Sequence, residues 1–132
     1  MLHSVDLRDY MITNPIQVKD DASLFDTMKI IIDNKVSGVC VMNNNNTLVG
    51  VLSEMDCLAA ILKATYNGVG VGLVNEYMTK ELVVAHPSDG IINVAQDMLL
   101  KNQRRRPVVE NGKLVGQVSC RQLLAAVNKF NK

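Results

Sequence analysis

Hydrophobic positions follow two alternating patterns along the chain, and the same order of patterns occurs twice. Apolar residues spaced for one face of an amphipathic helix are found at Leu24, Met28, Ile31 and Ile32 and again at Val94, Met98 and Leu99. A short β-type run precedes each of them, at 16–18 and 82–85. Two strand-like runs and a second helix follow, at 38–42, 48–52 and 54 to about 65, and again at 107–109, 114–118 and 120 to about 129. The pattern predicts the element order β-α-β-β-α in each half of an α/β (α+β) protein.

The two halves also match residue by residue, which indicates an internal repeat. Tyr10-Met11 recurs as Tyr77-Met78, 67 positions later, and one deletion in a loop changes the offset to 66. At the second offset Leu48-Val49-Gly50 falls on Leu114-Val115-Gly116. So many apolar matches in register predict two copies of one unit of about 55 residues.

The repeat divides the chain into copy 1 at residues 7–66, a linker at 67–76 and copy 2 at residues 77–129. Glycines at 68, 70 and 72 of the linker do not form G-x-G-x-x-G, and they follow a helix rather than a strand. We therefore predict a linker and not a dinucleotide-binding loop. Because a unit this small buries too little surface to fold alone, the two copies are expected to share one core.

Composition limits the classes of partner and the location. Among 132 residues, 14 basic and 13 acidic side chains leave a net charge of +1, which argues against duplex DNA or an acidic membrane surface as a partner. Aromatic residues make up 4%, too few for a platform that stacks single-stranded bases. The first ten residues do not form a signal peptide, and no stretch approaches the roughly 20 apolar residues of a membrane span, so a cytoplasmic location is expected.

The three cysteines, Cys40, Cys57 and Cys120, lie in apolar runs without a close pair. Their number and spacing fit neither a disulfide framework nor a zinc ribbon, so we predict three buried structural cysteines and no metal site. With only His3 and His86 present, no set of His, Cys and Asp indicates an enzyme.

A first candidate site lies where a strand meets the second helix of copy 1, at Ser53 and Asp56. Ser53 as N-cap and Asp56 at the third helical position form a variant capping box. A carboxylate also suits two ribose hydroxyl groups, and a helix N-terminus suits a neighbouring phosphate. Copy 2 keeps Ser119 but carries Gln122 in place of the carboxylate, which a cap tolerates. The local sequence leaves both the structural and the ligand-binding interpretation open.

A second candidate is Arg104-Arg105-Arg106, directly before the strand that begins at Pro107. Runs of charge usually form solvated surface, but adjacent guanidinium groups also suit a polyphosphate. Copy 1 has Ser37-Gly38-Val39 at the same place. One copy thus carries the carboxylate and the other the cations, which favours a single composite site for ribose and phosphate.

The doubled unit resembles a tandem pair of cystathionine β-synthase (CBS) domains, the Bateman module, over about residues 7–129. The resemblance rests on the opening Tyr-Met, the closing Leu-Val-Gly-x-h-Ser and the segment that begins Pro107-Val108-Val109. It implies two units related by a pseudo-two-fold axis and packed sheet to sheet. It also implies a non-enzymatic regulatory module that senses AMP, ADP, ATP or S-adenosylmethionine in a cleft between the units, with no required cofactor.

The resemblance further implies roles for individual residues. Ser53 and Asp56 would bind the ribose, because 50–56 matches the family pattern Gly-h-x-Ser/Thr-x-x-Asp in full. Arg104 and Arg105 would bind the phosphates of that same ligand. The adenine pocket, formed largely by backbone groups, would consist of Val51, Leu82, Val83 and Pro107. Segment 116–122 departs from the pattern at Gln122, which puts a second nucleotide site in doubt.

Partners follow from the same resemblance. Such modules pair through exposed helices, so a homodimer is expected, together with an effector protein of unknown identity. The alternative is a structural or dimerisation module whose clefts hold no ligand, which Gln122 favours and Asp56 disfavours. An RNA-binding role through 104–106 would show a steep dependence on salt.

Overall fold

A computed structural model describes residues 6–130, and Phe130 by its backbone alone. The strands are β1 (Ile12–Thr13), β2 (Gln17–Lys19), β3 (Gly38–Met42), β4 (Leu48–Ser53), β5 (Arg105–Glu110) and β6 (Lys113–Ser119). The helices are α1 (Leu24–Asn34), α2 (Glu54–Asn67), α3 (Ile91–Leu100) and α4 (Cys120–Phe130). Short 3-10 turns lie at Leu7–Asp9 and Val74–Glu76. None of the helices described here has the length and apolar character needed to cross a membrane.

The chain divides into two compact units, a central unit of residues 16–82 and a terminal unit formed by the two ends of the chain, up to Pro15 and from Val83. In the central unit the sheet order is β2-β3-β4, with β2 parallel to β3 and β3 antiparallel to β4. Apolar side chains of the strands and of α1 and α2 form its core: Val18, Leu24, Ile31, Val39, Val41, Leu52, Cys57, Ala60 and Val74.

The terminal unit has the sheet order β1-β6-β5, in which both neighbouring pairs are antiparallel. Its buried core consists of Leu7, Ala85, Ile91, Val94, Met98, Val108, Val118 and Ala126. The β5–β6 hairpin turns at Asn111 and Gly112, both with positive φ, as the Asn-Gly sequence predicts. The mixed α/β class is therefore confirmed, while the packing of sheet on sheet stays a prediction.

The segment that opens each copy packs against the strands and helices of the other copy. Leu7 is fully buried in the terminal unit, and Ile12 and Thr13 pair with β6 of copy 2. In the same way Val74 is fully buried in the central unit, and Thr79 pairs with Val51 of copy 1. The compact units and the sequence copies are consequently different divisions of the chain.

Each opening segment packs directly on a glycine, and the two glycines occupy equivalent positions in the two copies. A Cβ atom on Gly50 would lie 2.7 Å from Met78 Sδ and 2.9 Å from the Thr79 carbonyl oxygen. A Cβ atom on Gly116 would lie 2.8 Å from Met11 Sδ and 2.8 Å from the Ile12 carbonyl oxygen. The Leu-Val-Gly and Tyr-Met motifs therefore recur together because they contact each other, crosswise between the copies.

The strand predicted at 82–85 is wrong, because only Ala85 pairs with a neighbour. Its N–H donates to Pro107 O at 2.9 Å and its carbonyl accepts from Val109 N at 2.8 Å. The Val83 carbonyl accepts instead from the side chain of Gln103, at 3.1 Å. The side-chain amide of Gln103 thus occupies the Val83 carbonyl, which would pair with a neighbouring strand if the strand extended over 82–85.

The predicted burial of three cysteines is correct for Cys40 and Cys57 and wrong for Cys120, which is exposed. Cys120 is the first residue of α4, where its side chain lies outside the apolar face that packs on the sheet. The linker at 67–76 also contains structure, since its 3-10 turn buries Val74. Both differences arise because the sequence pattern does not reveal which face of a short element is covered.

Candidate ligand site at the strand-to-helix junctions

Ser53 and Asp56 form a complete capping box at the point where β4 passes into α2. The Asp56 N–H donates to Ser53 Oγ at 3.0 Å, and the Ser53 N–H donates to Asp56 Oδ2 at 2.9 Å. Gly38 of β3 lies opposite Ser53, and the Glu54 N–H donates to Ser37 O at 2.9 Å, which fixes the start of the helix against the sheet. Both predicted ribose ligands are therefore hydrogen-bonded to each other and half-buried.

The first turn of α2 carries two carboxylates, Glu54 and Asp56. Their charge is favourable beside the positive end of the helix dipole. The Asp56 charge also acts inward: burial, and next the negative charge of Asp56, raise the pKa of the Cys57 thiol. The junction is thus a negative, partly buried point, suited to accept hydrogen bonds from hydroxyl groups.

The corresponding junction of the terminal unit has a different hydrogen-bond pattern. The Ser119 N–H donates to Gln122 Oε1 at 2.8 Å, and the Ser119 hydroxyl donates to that same oxygen at 2.6 Å. The amide of Gln122 therefore completes a cap, as predicted for glutamine at this position.

The three arginines do not form one cationic cluster. Arg106 is 4% exposed, and its guanidinium donates to Asp97 Oδ2 at 2.7 Å and to Gln103 Oε1 at 2.8 Å. The hydrogen bonds from Lys101 and then Arg106 hold the pKa of Asp97 below its ordinary value. Alternate residues of β5 point to opposite faces, and Arg106 points into the unit, so the predicted phosphate contacts are confined to Arg104 and Arg105.

Arg104 is exposed, and Arg105 is half-buried opposite Ser119 in the β5–β6 ladder. The carbonyl of Arg104 accepts from the Cys120 N–H at 3.1 Å. Both arginines thus lie beside the start of α4 in the terminal unit, whereas Ser53 and Asp56 lie in the central unit. That the two groups serve one ligand stays a prediction.

The backbone of two predicted adenine contacts is already used within the protein. Val51 exchanges two hydrogen bonds with Thr79, of 3.0 and 2.9 Å. The Pro107 carbonyl accepts from Ala85, and the Pro107 side chain is fully buried. Leu82 differs, since its backbone N–H and carbonyl bond to no other residue between 6 and 130. The adenine pocket therefore stays a prediction, in which Leu82 and the N–H of Val83 have backbone groups that are not already hydrogen-bonded to the described residues.

Sequence reasoning missed Thr79 and Gln103, which occupy the polar backbone groups next to these positions. No pattern in the sequence marks either residue as a partner of Val51 or Val83. The Tyr77-Met78 repeat is the one indirect signal, because Thr79 follows it directly.

An apolar groove of about 510 Å³ lies between α1 and α2 of the central unit. Its walls include Met28, Ile31, Leu58 and Ile61, and Cys57 also lines it. On the same two helices several large apolar side chains are exposed: Phe25, Ile32, Met55, Leu58, Leu62 and Tyr66. Apolar surface of this kind is typical of a protein–protein contact.

Comparison with known proteins shows the family. The family model of the CBS domain matches residues 7–63 and 74–129, so the chain belongs to the CBS domain family and is a tandem CBS pair, a Bateman module. Its likeness to this family, predicted from the repeat and the motifs around Gly50 and Pro107, is confirmed.

Individual relatives share the same region. The crystal structure of CBSX2 from Arabidopsis thaliana, in complex with AMP, superposes with a TM-score of 0.87 at 29% identity and covers 98% of this chain and 100% of that one. The uncharacterized protein MJ1225 of Methanocaldococcus jannaschii is 31% identical over 114 residues, 86% of this chain and 39% of that protein. An inosine-5'-monophosphate dehydrogenase of Nitrosopumilus maritimus is 31% identical over 106 residues, 80% of this chain and 20% of the enzyme. The chain thus spans about two fifths of the first of these two proteins and one fifth of the second.

Proposed function

We propose that this chain is a non-enzymatic regulatory module that binds an adenosine-containing ligand and passes the signal to a partner protein. The observation that carries the proposal is the likeness to CBSX2, a CBS pair that binds AMP, over 98% of the chain. The ligand is AMP, ADP, ATP or S-adenosylmethionine, and no further cofactor is needed.

Ser53 and Asp56 are the ribose ligands in this proposal. One carboxylate oxygen of Asp56 accepts the backbone N–H of Ser53, and the second oxygen accepts no hydrogen bond from the other residues described. Ser53 accepts through Oγ, so its hydroxyl proton can be donated to a ligand. Arg104 and Arg105 supply charge for phosphates. Leu82 and Val83 offer backbone groups to the adenine edge, and Val51 and Pro107 contribute as apolar neighbours.

A thermal-shift panel with AMP, ADP, ATP, S-adenosylmethionine and NAD tests the proposal. A ligand at about 100 times its Kd adds roughly 2.7 kcal/mol to the free energy of unfolding. For a chain of this length that raises Tm by on the order of 5–15 °C. Asp56→Asn should remove the shift, whereas Asp33→Asn, an exposed aspartate on α1, should keep it. An unchanged shift in Asp56→Asn contradicts the assignment of Asp56.

The role of Arg104 and Arg105 is tested by charge removal. In the variant Arg104→Ala/Arg105→Ala we expect the affinity for ADP and ATP to fall more than that for adenosine, because only the phosphates lose a partner. Arg8→Ala, an exposed arginine outside both junctions, is the matched control. Equal losses for all three compounds would show that the two arginines do not bind phosphate.

Absence of catalysis is part of the proposal. Inosine-5'-monophosphate dehydrogenases match this chain over about a fifth of their length, so their activity does not carry over. Recovery of every nucleotide unchanged after long incubation, measured by chromatography, is the expected result. Release of a product from the pure protein would contradict it.

A homodimer and an effector protein complete the proposal, in a cytoplasmic setting without DNA or membrane. The exposed apolar residues of α1 and α2 support dimerisation, because water contact with them is unfavourable. Leu58→Glu, in the groove wall, should give a monomer in sedimentation analysis, while Lys63→Glu should not. Ligand binding would shift the balance between packing states that the partner distinguishes.

The second candidate function is an interaction module without a ligand. It is favoured by the capping box, because capping of α2 is by itself a sufficient structural role for Ser53 and Asp56. A flat panel together with a stable dimer would support this function over the first.

A further inference from the structure

Arg106 is a buried cation that the proposed ligand site does not use. Its guanidinium donates to Asp97 Oδ2 at 2.7 Å and to Gln103 Oε1 at 2.8 Å. A second cation, Lys101, donates to the same oxygen of Asp97 at 2.8 Å. A buried charge needs a partner of opposite charge, which Asp97 supplies. The hydrogen bond to the neutral Gln103 does not contribute to this charge balance, so it points to a different role for Arg106.

The bond from Arg106 determines how the side-chain amide of Gln103 is oriented. Arginine has only donors, so the atom that faces its Nε is the amide oxygen. The amide nitrogen is consequently directed to the other neighbour, the Val83 carbonyl, to which it donates at 3.1 Å. The backbone of Gln103 is held as well, because its N–H donates to Met98 O at 2.9 Å. Arg106 therefore makes Gln103 a donor, and not an acceptor, toward Val83.

Gln103 in this orientation fixes the peptide group between Val83 and Val84. The peptide is trans, so its carbonyl and its N–H point in opposite directions. Because the carbonyl points to Gln103, the N–H of Val84 points away from it, and none of the described residues accepts from that N–H. Ala85 differs, since both of its backbone groups are paired with β5. At this peptide the chain thus presents a free donor, while the acceptor is turned toward the protein.

A free backbone N–H suits one kind of purine edge. Position 1 of adenine is a ring nitrogen with a lone pair, which accepts a hydrogen bond. The same position of hypoxanthine carries a hydrogen and donates. A protein donor therefore binds the adenine edge, whereas opposite hypoxanthine it meets a second donor and stays unpaired, which is unfavourable. A peptide turned the other way would present its carbonyl and have the reverse preference.

We propose that Gln103, oriented by Arg106, is a positioning residue that makes the ligand site select adenine over hypoxanthine. The inference rests on the proposed function, in which Leu82 and Val83 face the adenine edge, and it adds the N–H of Val84 and the residue that sets the choice of base. Arg106 thereby acts on specificity without contact to the ligand.

The variant Gln103→Glu reverses the polarity at this point with little change in shape. A carboxylate accepts from Arg106 as the amide does, but it cannot donate to the Val83 carbonyl, so the peptide turns and the N–H of Val84 donates to the carboxylate. Calorimetric titration of the full-length chain with AMP and with IMP measures the consequence. We expect the wild type to bind AMP about tenfold more tightly than IMP, since one hydrogen bond differs. The variant should lose about tenfold in affinity for AMP and none for IMP.

Two further variants separate orientation from charge. Gln96→Glu makes the same change of charge at an exposed position of α3 and should keep the wild-type ratio of the two affinities. Arg106→Met removes the donor that orients Gln103, so the amide can rotate and the ratio should fall toward one. Far-UV circular dichroism and Tm establish that each variant is folded.

Amide hydrogen exchange of Val84, followed by NMR, tests the orientation of the peptide without a ligand. Exchange should be fast in the wild type and slow in Gln103→Glu, where the N–H gains an acceptor. Ala85, whose N–H donates to Pro107 O at 2.9 Å, is the internal control and should stay protected in both. Fast exchange of Val84 in both proteins would show that the peptide does not turn and would overturn the inference.

The titrations distinguish this inference from the proposed function. Equal losses for AMP and IMP in a folded Gln103→Glu would show that Gln103 has a structural role only. An unchanged ratio in that variant, or equal affinities of the wild type for both nucleotides, would also overturn the inference. Each of these results leaves the binding of AMP, and with it the proposed function, standing. No binding of either nucleotide by the wild type would contradict the proposed function itself, and the inference with it.

Discussion

Gly50→Ala is expected to destabilise the central unit far more than a glycine substitution normally does. The new Cβ would lie 2.7 Å from Met78 Sδ, 3.0 Å from Met78 Cγ and 2.9 Å from the Thr79 carbonyl oxygen. The methionine can rotate, but the carbonyl is fixed, because Thr79 exchanges two hydrogen bonds with Val51, the neighbour of Gly50. Relief of the clash therefore requires that this pair of hydrogen bonds be stretched.

The magnitude follows from these contacts. Overpacking of a tight site costs about 1–3 kcal/mol. Each strained hydrogen bond adds about 1 kcal/mol at most. Alanine lowers the entropy of the unfolded chain, which returns about 0.4–1 kcal/mol. We expect the free energy of unfolding to fall by about 2–4 kcal/mol.

Urea unfolding of the full chain, followed by circular dichroism, measures this change. Gly70→Ala is the matched control, because a Cβ there meets nothing within 4 Å. Met78→Ala in the Gly50→Ala background should recover part of the loss, since it removes two of the three short contacts but not the carbonyl. Equal midpoints for Gly50→Ala and Gly70→Ala would refute the reasoning that the opening segment of copy 2 is packed on Gly50.

Three further outcomes follow from single contacts. Asp97→Asn should lessen the acid sensitivity of the fold. The pKa of Asp97 lies below its ordinary 3.8 in the folded chain, so the stabilising effect of its charge is complete above pH 3.8 and is lost as pH falls through the lower, folded pKa. Urea titrations at pH 2–5, with Asp33→Asn as the control, measure this change. Iodoacetamide at pH 8 should modify the exposed Cys120 before Cys57, whose pKa burial raises, and mass spectrometry that finds Cys57 first would contradict its burial. Lys35→Gly should raise the free energy of unfolding by up to about 1 kcal/mol, because Lys35 ends α1 with φ +53°, a conformation that glycine adopts without strain. Lys29→Gly, within the helix, should lower the free energy of unfolding by about 1 kcal/mol. A lower free energy of unfolding in both variants would show that the helix end is not strained.

Local periodicity was sufficient to predict the helices and most strands, because the pattern of buried side chains repeats within one element. The spacing of Leu24, Met28 and Ile31 corresponds to one face of α1, and Leu24 and Ile31 are buried as expected. The capping box at Ser53 was equally accessible, since both partners lie within one helical turn.

Contacts between distant segments were not accessible to that reasoning. Tyr-Met opens both copies, and both copies contain the glycine that contacts it. Sequence similarity alone therefore cannot tell whether an opening segment packs on its own copy or on the other copy. Arg106 looked like its two neighbours because its burial depends on Asp97, nine residues earlier on another element. The candidate site was therefore predicted as a set of residue types, while the burial of Arg106 and the hydrogen bonds already made by the backbone of Val51 and Pro107 required the structure.

The crossed opening segments also determine how such a protein can be divided. A chain that carried copy 1 alone would contain Leu7 but not the strands and helices of copy 2 into which Leu7 packs. Its own core would lack Val74, and Val51 would lack its partner Thr79. It could complete its sheet only with the opening segment of a second molecule, at the concentration of that molecule in solution. Joining two copies by a short linker makes this exchange intramolecular, at an effective concentration in the millimolar range for short flexible linkers. The tandem arrangement is thus the smallest form of this repeat in which each core is filled from within a single chain.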